Sequence, residues 1–67
     1  MDFKTYYVVA QMIFEEENRL EELMSFVRQN KGNAKMQKEV AQAKIICDTC
    51  RYSLKKLYRI QNSLYGV

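Results

Sequence analysis

Proline and histidine are absent, and glycine occurs only at Gly32 and Gly66. A chain with one internal glycine and no proline has a single place to turn sharply. That excludes a multi-stranded sheet, which needs turn chemistry at every reversal. Without histidine the commonest general base is missing. There is no glycine-rich phosphate loop. Glu15, Glu16 and Glu17 run around a helix and point in different directions, unlike a catalytic carboxylate pair. The chain therefore reads as non-enzymatic and without a cofactor. No apolar run approaches the ~20 residues of a membrane span. Tyr6 to Phe14 is apolar except at Gln11 and follows Lys4, but Glu15-Glu16-Glu17-Asn18 stands where a signal peptide needs small residues for cleavage. The expectation is a cytoplasmic protein with no membrane partner.

What is present is helix-forming and apolar. Of the 67 residues, 48% are hydrophobic, so composition does not enforce disorder, and the length bounds the chain to a single domain, 1–67. Asp2 is a candidate N-cap for a helix starting at Phe3, and nothing interrupts that helix before Gln29. Asn30-Lys31-Gly32-Asn33 is the turn signal, with Gly32 and Asn33 the residue types that accept a left-handed backbone. A second helix is expected from about Ala34 to Leu64, with Gly66 as its stop. A short link makes the two helices antiparallel neighbours. The fold class is thus all-α, an antiparallel two-helix hairpin (about 3–29 and 34–64). So small a domain buries too little surface alone, so the hairpin is expected to dimerise into a four-helix bundle.

The second helix carries a heptad seam: Met36, Val40, Ala43, Cys47, Cys50, Leu54, Leu57, Gln61 and Leu64 step alternately by four and three. The first helix carries Tyr6, Val9, Ile13, Leu20, Leu23 or Met24, and Val27, interrupted at Glu16 and Glu17. Beside that seam run Phe3, Tyr7, Ala10 and Phe14, with Val8 and Met12 in a third direction. Nine of the twelve residues from Phe3 to Phe14 are apolar, more than one partner helix can cover. Phe3, Tyr7, Met12 and Phe14 are therefore candidate partner-binding residues.

Charge divides unevenly. The formal charge is −3 through Asn30 and +6 from Lys31 onward. With the turn centred near Lys31, facing residues have numbers summing to about 63, which sets Glu15 to Glu22 opposite Lys44. Arg51, Lys55, Lys56 and Arg59 then face residues 4 to 12, which hold no acid. With Tyr52 among them they form a candidate docking face for an acidic protein or for nucleic acid. No recognition-helix pattern, RNP-type motif or zinc-finger spacing supports the nucleic-acid choice.

Cys47-Asp48-Thr49-Cys50 spells C-x-x-C, but a zinc site needs four ligands and the chain holds no further cysteine. A metal would require Cys47 and Cys50 of two chains to meet; as consecutive seam positions they read instead as small core residues. The layout resembles the Rop type of plasmid regulator, in which two helical hairpins form a four-helix bundle that binds RNA. That likeness is one of architecture and transfers no functional residue. The leading expectation is a hairpin homodimer that binds and modulates, or inhibits, a larger protein, in the manner of small phage- or plasmid-type regulators. A nucleic-acid-binding regulator and a structural subunit of a hetero-oligomeric complex are the alternatives.

Overall fold

The computed structural model describes residues 3–65. They form α1 (Phe3–Gln29), a 3-10 turn (Ala34–Met36) and α2 (Gln37–Tyr65), with no strand among the described residues. Asp2 and Gly66, the expected cap and stop, lie outside them. The two helices lie side by side as an antiparallel hairpin, with Cα extents of 50 × 14 × 12 Å. No helix among the described residues is long and apolar enough to cross a membrane.

The link between the two α-helices extends through the 3-10 turn and uses no left-handed residue: neither Gly32 nor Asn33 has positive φ. Side-chain amides close it instead. Asn30 donates from its backbone N (3.1 Å) and from Nδ2 (2.9 Å) to the Phe26 carbonyl. Asn33 sits at φ −90° and ψ 106° and accepts at Oδ1 from Lys35 N, 3.1 Å, capping the 3-10 turn. Gln37 Nε2 reaches back to the carbonyls of Asn33 (2.7 Å) and Lys31 (3.3 Å). These amides tie the carbonyls of Phe26, Lys31 and Asn33 within the link, and its backbone stays in the ordinary regions.

The 3-10 turn moves the midpoint of the link to Asn33 and shifts the register. Facing pairs are Glu16 with Cys50, Tyr6 with Tyr65, and Glu17 with Tyr58, whose numbers sum to between 66 and 75. The expected value of about 63 counted residues 34–36 as ordinary α-helix. Glu15, Glu16 and Glu17 therefore lie opposite the stretch around Arg51 to Arg59, which sequence reasoning had set against an acid-free segment.

The seam itself matches the heptad pattern. The buried residues are Val9 and Ile13 from α1, and Val40, Ala43, Cys47, Cys50 and Leu54 from α2, each 2–7% exposed. Val9, Ile13 and Leu54 form the central cluster, with Leu20, Leu57 and Leu64 packed against it. Glu16 occupies the seam position where the apolar pattern of α1 breaks, and it is half-buried there.

Candidate functional site: two faces of the hairpin

Heptad positions a and d make the seam, so positions e and g flank it. In α1 the e column is Phe3, Ala10, Glu17 and Met24, and the g column includes Met12, Arg19 and Phe26. In α2 the e column is Lys44, Arg51, Tyr58 and Tyr65, and the g column is Glu39, Ile46, Ser53 and Ile60. In an antiparallel pair the two e columns share one face and the two g columns the other. The contacts agree. Tyr58 Oη donates to Glu17 Oε2 at 2.8 Å, and Met24, Arg28, Lys44 and Arg51 line one groove. Met12, Glu15, Arg19 and Leu57 line another on the opposite side.

The e face is aromatic and basic. Phe3, Tyr7 and Phe14, one stripe of α1, are 59–79% exposed. Tyr58 and Tyr65 continue this surface onto α2, and Tyr65 meets Tyr6 edge-on with ring centroids 5.2 Å apart. Arg51 lines the groove with Met24 and Arg28 further along this side, toward the turn. Hydrogen bonding to the Glu17 carboxylate, aided by desolvation, raises the Tyr58 hydroxyl above its ordinary pKa. The hydrogen bond with Tyr65 raises Tyr6 in the same direction.

Not all the residues grouped by sequence belong together. Met12 lies on the g face, across the hairpin from Phe3, Tyr7 and Phe14. Tyr52 and Arg59 occupy the outer side of α2, away from α1, where the Lys56 ammonium sits 4.6 Å from the Tyr52 ring centre. The cluster is less bare than its composition suggests, because Arg51 Nη1 pairs with Asp48 Oδ1 at 3.3 Å. Every ion pair among the described residues runs within one helix: Arg19–Glu16, Arg28–Glu21 and Arg51–Asp48. Among the described residues, none of these three pairs bridges the two helices.

Cys47 and Cys50 are buried against α1, unlinked, so meeting a partner's cysteines would require unpacking the seam. Cys50 Sγ donates to Glu16 Oε1 at 3.8 Å. Burial, then the Glu16 carboxylate, raise its pKa against the opposing pull of Arg19. A thiol held protonated is a poor nucleophile and a poor metal ligand. No group of three or more metal-ligating side chains occurs among the described residues.

Sequence reasoning missed the g column of α2. Ile46 and Ile60 are exposed apolar residues fourteen apart with Ser53 midway, a spacing legible as a third heptad column. Comparison with protein-family models, characterised proteins and solved structures finds no match, so function rests on these two faces alone.

Proposed function

We propose that the chain is a small non-enzymatic interaction protein, a helical-hairpin homodimer assembled as a four-helix bundle, that docks on a larger protein and modulates it. The observation that carries this reading is the exposed stripe of Phe3, Tyr7 and Phe14, with exposed Tyr58 and Tyr65 on α2 and the exposed cations Arg51 and Lys55 further along α2. Aromatic anchors beside arginine are the composition of interface hot spots. The cations steer approach toward an acid-rimmed apolar cleft. Nucleic acid is the less favoured target, because Glu15 to Glu17 lie opposite the basic stretch and Arg51 is already paired.

Affinity capture from the source cell with the wild-type chain, and with a Tyr7→Glu/Phe14→Glu variant of equal helicity, tests the reading. The target should be retained by the first and lost by the second. Equal retention by both, or tight binding to generic duplex DNA or RNA that weakens steeply with salt, overturns it.

A further inference from the structure

A helix that packs against one neighbour needs apolar residues at a and d; a helix inside a bundle needs a third column, at e or g. In this hairpin the g columns carry Met12, Phe26, Ile46 and Ile60, broken by Arg19, Glu39 and Ser53, while the apolar members of the e columns are chiefly the aromatic residues of the docking face. Together with Val8 in the neighbouring column they place apolar residues toward both ends of the g face, with Glu15, Arg19 and Ser53 between them. On it Val8, Met12, Ile46 and Ile60 are 38–54% exposed, so the hairpin itself leaves the face uncovered.

We propose that a second copy of this chain covers the g face, about a two-fold axis perpendicular to the helices at the level of Glu17 and Ser53. Each helix then packs antiparallel on its own counterpart. The proposal deepens the homodimer reading above and does not depend on the target-docking face.

Self-complementarity carries it. A two-fold interface must place each residue opposite a compatible one in the copy. Val8 and Phe26 stand nine residues either side of Glu17, and Glu15 and Arg19 stand two either side. Ile46 and Ile60 stand seven either side of Ser53. The two centres fall at one level, since 17 and 53 sum to 70, inside the register that the Glu16–Cys50 and Glu17–Tyr58 contacts set. One axis therefore pairs Val8 with Phe26 and Ile46 with Ile60 toward the ends and each Arg19 with the copy's Glu15 near the centre, while Met12 falls opposite the copy's Glu22. The small Ser53 lies where the two α2 helices come closest. Within the hairpin Arg19 holds Glu16 only at 3.9 Å, leaving its guanidinium available.

Size agrees. The chain exposes 5325 Å². A folded 8.0 kDa monomer exposes roughly 4,450 Å². The excess, about 900 Å², is close to the ~800 Å² that each partner buries in a stable interface.

The test uses two charge swaps, Arg19→Glu and Glu15→Arg, with sedimentation velocity and circular dichroism. Each swap alone sets like charges across the axis twice and should weaken dimerisation about tenfold. Mixing the two restores both attractions, so the mixture should sediment as heterodimer at a concentration where neither variant dimerises alone. Ile46→Glu should also dissociate the dimer, whereas Tyr7→Glu/Phe14→Glu should leave it intact. Swaps that leave dimerisation unchanged, a mixture that fails to recover, or loss of the dimer only in the Tyr7/Phe14 variant would overturn the assignment. A target still captured by the Arg19→Glu chain would separate failure of this interface from failure of the docking face.

Discussion

Replacing Glu16 with leucine should stabilise the protein. Glu16 stands at a d position of the α1 seam, its side chain only 21% exposed. It makes two weak contacts there, with Cys50 Sγ at 3.8 Å and Arg19 at 3.9 Å. A leucine fully buried at such a site contributes about 1.5–3 kcal/mol, and partial burial keeps about two thirds of that. The lost ion pair is of the exposed kind, about 0.2–1 kcal/mol. The net gain is about 1 kcal/mol, which raises Tm by roughly 4–8 °C in a domain of this size. Thermal unfolding followed by circular dichroism gives the answer, with both chains at equal concentration because association shifts Tm. A second readout is chemical: Cys50 is buried and reacts only when the hairpin opens, so the more stable Glu16→Leu chain should be labelled by a thiol reagent more slowly near neutral pH. A lower Tm for Glu16→Leu would refute the view that Glu16 merely interrupts the seam.

Three further outcomes follow from the same packing. Leu54→Ala, at the centre of the Val9–Ile13 cluster, should cost about 2–3 kcal/mol, the low end of the usual range because a two-helix seam relaxes toward solvent; an unchanged urea midpoint contradicts this. Alkaline pH should destabilise the fold. Cys50 and Tyr58 have folded pKa values raised above their ordinary 9.0 and 10.0, so stability is intact below pH 9.0 and falls as pH rises through the folded values; a urea midpoint flat across that range would count against it. Cys47 and Cys50 should react with a thiol reagent only as fast as the hairpin opens, so labelling near neutral pH at the rate of a free thiol would contradict their burial.

The α2 seam was legible in sequence because its period is strict. All nine of its positions, from Met36 to Leu64, are buried or half-buried, even Gln61. The limits of α1 were equally plain, since nothing between Phe3 and Gln29 breaks a helix. The register was not legible. Its value depends on Asn33 capping a 3-10 turn rather than an α-helix, a difference of hydrogen-bond geometry that composition does not carry. That shift changed the reading of the basic stretch, bringing Glu17 to Tyr58. Phe3 to Phe14 hid its own division, because in a run so densely apolar the phase of Met12 against Phe14 is visible only once the seam direction is known. Ile46 and Ile60 escaped notice because a column one residue in seven is conspicuous only beside an established seam.

The central claim is that this hairpin reaches its stable fold by burying one face against its own copy. Dilution of the wild-type chain, followed in parallel by sedimentation and by far-ultraviolet circular dichroism, tests it most directly. The account predicts a dimer whose dissociation and loss of helicity follow a single concentration dependence. A chain that sediments as a monomer while retaining full helicity would contradict it.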